Sequence, residues 1–334
     1  MRKNLKYNLS WLLLAVAVYL GIFVLKSVGL LSGIVEDTLS LIGINVILAV
    51  GLNLIIGFSG QFSLGHAGFM AIGAYATAIF TQIQSTYTGF LLSILIGVGI
   101  TIVVALVVGI PTLRLKGDYL AIATLGIAEI IRILIVNGKD DLSQGIFATG
   151  GAAGVFGIVD YANWEVIYIF MVLTTIIIAN FIHSSTGRTV LSIREDEIAA
   201  EAMGVNSTKV KVLAFVLGAA TASIAGSLHA SYIQTIVPGD FGFMKSVDIL
   251  IIVVFGGIGS LTGSFVAAIL LGILNHVLRN VQAISDYRMI VYALALIIIM
   301  IFKPGGLLGK KELSMKKLFQ RIGKGGKENA SVDR

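Results

Sequence analysis

The side chains in this 334-residue chain that could do chemistry are few and scattered. His66, His183, His229 and His276 lie on four different segments, and there is no cysteine. No H-x-x-x-H pair occurs, and no carboxylates cluster around any of the four. A zinc site or a general-base site is therefore not expected. No G-x-S-x-G elbow, G-x-x-x-x-G-K-[ST] loop or strand-following G-x-G-x-x-G is present, so acyl transfer and nucleotide binding lack their usual parts. The remaining reactive pair is Glu129 and Arg132, in "AIATLGIAEIIRILIV". Their i, i+3 spacing sets them on one helical face. A carrier could use such a glutamate to move a proton, but the neighbouring guanidinium holds it ionised. The pair reads as a structural or gating ion pair. No cofactor, metal or enzymatic activity is expected.

The elements that hold these residues are apolar. Hydrophobic residues make up 57% of the chain and charged residues 13%, against roughly 25% charged in soluble domains; the mean hydropathy is +0.96. One soluble core cannot absorb that surplus, and an all-α polytopic integral membrane protein is expected. Apolar runs place about ten transmembrane helices at 9–31, 39–57, 62–80, 90–110, 119–136, 164–182, 211–234, 246–259, 261–278 and 287–302. The "GGIGSLTGS" interruption makes one or more of these short or broken. Only four apolar residues precede Ala15-Val16-Ala17, too few for a cleaved signal, so the first run reads as a retained span.

Lysine and arginine set the orientation. Arg2, Lys3, Lys6, Arg114, Lys116, Arg188, Arg194, Lys209, Lys211 and nine residues after Phe302 fall on one side of this arrangement. That side is the cytoplasm by the positive-inside rule, with both termini there. The expected division is a transmembrane domain over 1–310 and a basic cytoplasmic tail over 311–334. The tail suits anionic lipid rather than nucleic acid. On the other side, Asn137 to Asn163 with "TGGAAG" either receives a partner or merely connects.

"GFSGQFSLGHAGFMAIGAYATAIF" (57–80) is glycine-rich but carries no charge. Gly60, Ser63, Ala67, Ala71, Ala74 and Ala78 recur at helical spacing, which makes a face for close helix packing. Its polar residues Gln61, Ser63 and His66, with Asn53 and Asn45 in the preceding span, either complete a packed turn or line a substrate path or gate.

Between the sixth and seventh spans lies "STGRTVLSIREDEIAAEAMGVNSTKVKVLAF" (185–215). A short amphipathic helix is expected over Arg194–Met203. Glu195, Asp196 and Glu197 sit at its dipole-favoured first turn, and Gly204 suits its C-terminal cap. Small apolar residues here suit docking into a groove of a soluble partner.

This loop resembles the coupling loop of ABC importer permeases, E-A-A-x-x-x-G. The chain reads Ile198-Ala199-Ala200-Glu201-Ala202-Met203-Gly204, with Glu197 one residue early. "GFSGQFSLGHAGFMAIGAY", "LRLKGDYLAIATLGIAEIIR", "KSVDILIIVVFGGIGSLTGSFVAA" and "FKPGGLLG" extend the resemblance from about Ile42 to Gly309, toward branched-chain amino-acid ABC importer permeases of the LivM type. The resemblance implies a bacterial plasma (inner) membrane subunit. Its partners would be a second paralogous permease (LivH-type), two cytoplasmic ATPase subunits and an extracytoplasmic substrate-binding protein. It implies ATPase coupling through the 183–211 loop, at Arg194, Glu197, Ala199, Ala200 and Gly204. Related permeases carry urea or amides, and a secondary amino-acid transporter is the rival class; that rival would need a midplane ion site, for which Glu129 is the only acid available.

Overall fold

A computed structural model of the chain describes residues 2–29, 33–115, 117–138 and 149–280, with 290, 294, 297, 301, 303 and 305–309. The basic stretch 311–334 and most of the apolar run 287–302 lie outside the described residues. Two compact units emerge. One comprises residues 1–36 and 311–334, the other 37–310.

In the smaller unit, α1 (Arg2–Ser27) is apolar from Leu13 onward. Lys26, in its last turn, pairs with Glu36 at 2.7 Å. The larger unit holds most of α2 (Gly33–Asn53), then α3 (His66–Ile83), α4 (Tyr87–Thr112), α5 (Asp118–Val136), α6 (Trp164–His183), α7 (Ser185–Glu195), α8 (Glu197–Ala202), α9 (Ser207–Ile233), α10 (Phe243–Gly256) and α11 (Leu261–Asn280). Two short strands, β1 (Val155–Phe156) and β2 (Thr235–Ile236), pair antiparallel. Among the described residues, six helical stretches are long and apolar enough to cross a bilayer: 33–58, 87–112, 118–136, 164–183, 207–233 and 261–278.

The helices outside that six show why apolarity alone is an incomplete guide. In α3, buried residues point in every direction around the axis. A helix enclosed by protein need not match lipid, so it can carry His66, Thr77 and Thr81. At 14 residues, α10 spans about 21 Å, short of a full crossing. It reverses into α11 through Gly257 and Gly259, both at positive φ. The interruption at 246–278 is thus a helical hairpin with a tight turn.

Two local expectations need correcting. The helix expected over 62–80 starts at His66, because α2 continues as a π-helix over Leu54–Phe58 and Gly60 then turns left-handed at φ +70°. Gly60 and Ser63 are therefore not on the α3 face. Likewise, the single helix expected over Arg194–Met203 is broken. Asp196 adopts an extended conformation (φ −154°, ψ 107°) that ends α7 and caps α8.

The core centres on α3, which is flanked by α9 and α4. The backbones come so close that a Cβ on Gly73 would lie 2.0 Å from the Ser223 carbonyl oxygen, and one on Gly226 would lie 1.9 Å from that of Met70. Ser227 donates to the Gly73 carbonyl at 3.0 Å, and Phe69 meets Phe215 edge-on at 5.6 Å. The alanines of the anticipated stripe, Ala67, Ala71, Ala74 and Ala78, are all buried.

Candidate functional site: the basic end

The turns 57–65, 113–115, 184–206, 257–260 and 305–309, with Gly117, meet at one end of the larger unit. Each helix there is ended by its own chemistry. Ser184 accepts from the Gly187 N–H at 3.1 Å to start α7, and Asp196 accepts from the Ala199 N–H at 3.0 Å to start α8. Asn206 caps α9 through the Lys209 N–H at 3.0 Å. Such caps satisfy amides that lack a partner within the helix. Gly204, at φ +85°, closes α8, and the next amide, of Val205, returns to the Ala200 carbonyl at 3.2 Å. That is the left-handed cap expected of glycine at this position.

Side chains then tie these turns together. Arg194 Nη1 donates to the Gly57 carbonyl at 2.7 Å, within the π-helical end of α2. Its guanidinium also pairs with Glu195. Lys211, in the first turns of α9, pairs with Glu197 of α8, and Ser207 donates to Glu201. Gln61 Nε2 donates to the Lys211 carbonyl at 3.1 Å and to Ser59 Oγ at 2.6 Å. A cleft of roughly 250 Å³ lies among these groups, with Arg194, Glu197, Lys211, Gln61 and Leu113 in its wall.

Asn53 binds the next layer. Its Nδ2 donates to the Ser260 carbonyl at 2.8 Å and to Ser264 Oγ at 2.7 Å, and its Oδ1 accepts from the Gly259 N–H at 2.8 Å. It staples the end of α2 to the α10–α11 turn. That turn also receives the chain near 307: Leu307 N–H donates to the Phe255 carbonyl at 2.8 Å.

The outward face of α8 is apolar. Ile198 and Met203 are 76% and 85% exposed, and Ala199 and Ala202 lie open beside them, while Ala200 turns inward. Caps and ion pairs thus hold one side of α8, while the side carrying Ile198, Ala199 and Ala202 is exposed.

The structure thus brings Arg194, Glu197, Ala199, Ala200, Gly204 and Gln61 into one region, with Asn53 just above. Ser63 is buried near the start of α3, where its Oγ accepts from the Gly65 N–H at 3.4 Å. His66 is buried against α2, and its ring makes no hydrogen bond of good geometry beyond an approach to the Leu48 carbonyl. Glu129 and Arg132 lie elsewhere, on α5, as a half-exposed bidentate pair with Nε at 2.9 and 3.0 Å from the two carboxylate oxygens. Lys211 was not anticipated as a site residue. A signal for it existed: a cation in the first turns of a helix opposes the dipole and needs an anion nearby.

Residues 34–300 match the family model described as branched-chain amino acid transport system, permease component. The high-affinity branched-chain amino acid transport system permease protein LivM of Escherichia coli (strain K12) is 33% identical over 306 residues, covering 81% of this chain and 69% of that protein. Its counterpart in Salmonella typhimurium is 32% identical over the same extent. The permease protein LivH of the same Escherichia coli strain is 33% identical over 150 residues, 45% of this chain and 47% of LivH. No solved structure matches.

Proposed function

Because the chain belongs to the family of branched-chain amino acid transport permeases, we propose that it is one permease subunit of an ATP-binding-cassette importer for leucine, isoleucine and valine. The observation that carries this reading is the 32–33% identity to LivM over 81% of the chain. The chain is a multi-pass membrane protein of the bacterial inner membrane. The finer reading has ten spans, with 287–302 as the last, the basic end and both termini in the cytoplasm, 1–310 as the permease domain and 311–334 as a lipid-facing tail. A second permease resembling LivH completes the pathway, and an extracytoplasmic protein delivers the substrate.

Energy arrives from two separate ATPase subunits, since no nucleotide-binding motif occurs in the sequence. They dock on the bare face of α8 at Ile198, Ala199, Ala202 and Met203. When ATP closes the ATPase pair, α8 is pushed. The Glu197–Lys211 pair carries that movement to α9, and Arg194 carries it to the Gly57 carbonyl. The π-helical end of α2 is a fitting receiver, because π-helical turns concentrate at functional sites. Glu129 is already engaged by the Arg132 guanidinium on α5, which speaks against its use as the ion site of a proton-coupled carrier. The test is ATP-driven leucine uptake by the complete reconstituted system, with ATP hydrolysis measured in parallel. Glu197→Lys should uncouple the two, and Ile198→Asp should stop the ATPases from copurifying. Leucine uptake that persists without any ATPase subunit would refute the reading.

A further inference from the structure

Away from the basic end, α10 carries a charge arrangement that transmission of movement does not use. Lys245 lies in the first turn of α10, and Asp248 follows at i+3 on the same side of the helix. A cation there opposes the helix dipole, whose positive end already favours an anion. Asp240 and Asp248 are both within electrostatic reach of Lys245, yet among the described residues its ammonium forms no ion pair and no hydrogen bond. Asp240 is engaged, since its Oδ2 accepts from the Val237 N–H at 3.2 Å. Asp248 is exposed, beside Met244. In a chain of this family, a carboxylate on that part of an apolar helix faces a watery path or a neighbouring subunit, because lipid would not accept it.

Unused polar groups stand behind this pair. The Tyr75 hydroxyl of α3 and the His229 Nδ1 of α9 are buried without a hydrogen-bond partner. Both rings meet Phe241 edge-on, at 6.0 and 6.3 Å, and Phe241 ends the turn that leads directly into α10 at Phe243. Buried polar atoms left unpaired in a native fold call for an explanation, and a transient ligand or water is the ordinary one.

We propose that Lys245 and Asp248 form a subsite for the zwitterionic end of an α-amino acid on its way through the permease, with the carboxylate on Lys245 and the positive end of α10, and the ammonium on Asp248. Tyr75 and His229 provide neutral hydrogen-bonding capacity alongside. The subsite rests on the reading of the chain as an amino-acid importer. It adds the means by which an uncharged amide such as urea is disfavoured, since such a molecule leaves the Lys245 ammonium without its anion.

The experiment uses the complete reconstituted transporter. Leucine uptake and binding-protein-stimulated ATP hydrolysis are measured for the wild type, Lys245→Gln, Asp248→Asn and the conservative Lys245→Arg. Removing one pole should lower uptake by about tenfold or more, as truncating one partner of a desolvated charge pair does. Stimulated hydrolysis should stay close to wild type, and Lys245→Arg should keep most of the uptake. If Lys245→Gln and Asp248→Asn both transport leucine as well as the wild type, the subsite is overturned while the importer reading stands. A wild type that takes up no leucine overturns both. Should the variants lose hydrolysis as well, photo-leucine crosslinking of the trapped wild-type transporter decides. Adducts within 237–256 that leucine competes away, and leucinamide does not, support the subsite; adducts confined to other segments overturn it.

Discussion

The seam between α3 and α9 and the turns of the basic end are both built on glycine, but for opposite reasons. In the seam, glycine is there because backbones touch. A Cβ on Gly73 or Gly226 would overlap a backbone carbonyl oxygen at about 2 Å, while the backbone itself is ordinary helix. At the basic end, Gly204 has open space around it, and what excludes other residues is its φ of +85°. The first kind of glycine holds two helices at a fixed spacing. The second lets the chain reverse between α8 and α9 and leaves the contacts there to ion pairs and caps. A region held by steric contact has one arrangement. A region held by a few exchangeable polar contacts can have two, as a movable element needs.

The sharpest way to break this contrast is to enlarge a seam glycine. Gly73→Leu should cost more than about 4 kcal/mol, in the range reserved for gross overpacking, and the purified protein should lose its cooperative thermal transition. A variant that melts normally would mean the seam is not rigid. Next in size is Asn53→Ala, which strands the Gly259 amide and the Ser260 carbonyl. A loss of about 2 kcal/mol is expected, read in the same melting experiment.

The basic end should answer in coupling rather than in melting. Glu197→Lys sets two ammonium groups together and should lower leucine uptake per ATP hydrolysed by about tenfold, within the usual span of coupling free energies, with little change in melting. Gly204→Ala should cost about 1 kcal/mol for the left-handed backbone and reduce uptake less than Glu197→Lys does. If it lowered the melting temperature as much as Gly73→Leu, the two kinds of glycine would not be distinct.

The smallest effect concerns the opposite end, where the loop after β1 meets the end of α9. Ser231 donates to the Val159 carbonyl at 2.8 Å and accepts from the Tyr161 N–H at 2.9 Å. Burial raises the carboxyl of Asp160 above its ordinary range, partly offset by hydrogen bonds from the Ala162 backbone and Gln234. The folded state therefore holds this proton more tightly than the unfolded one, so stability from this group falls as pH rises above the ordinary aspartate value. Asp160→Asn should flatten that decline slightly. The check is the melting temperature of the two proteins between pH 4 and 7, conditions chosen to bracket the transition.

Much of this was legible beforehand, and particular residues show where legibility stops. The cap role of Gly204 could be read because a helix end is a local event, decided by a few neighbouring residues. The Glu129–Arg132 pair could be read because i, i+3 spacing alone makes those side chains meet. The break at Asp196 was missed because the helix formers around it outweighed its capping role in a count of propensities. The helix start at His66 was missed because a run of small residues looks periodic whether or not its first turn is helical. Asn53 was anticipated as a path residue. Its three bonds to residues more than 200 positions away depend on the α10–α11 turn folding back beneath α2, which no local pattern encodes.

By itself the sequence determined the apolar character, the helical class, the family and the caps, since each follows from composition or from contacts a few residues apart. Only the tertiary structure decided that Arg194 meets Gly57, that α3 is enclosed on all sides, and that Tyr75 of α3 and His229 of α9 converge on Phe241. Those arrangements depend on which helices lie side by side, and that is settled by the simultaneous fit of many surfaces rather than by any one segment.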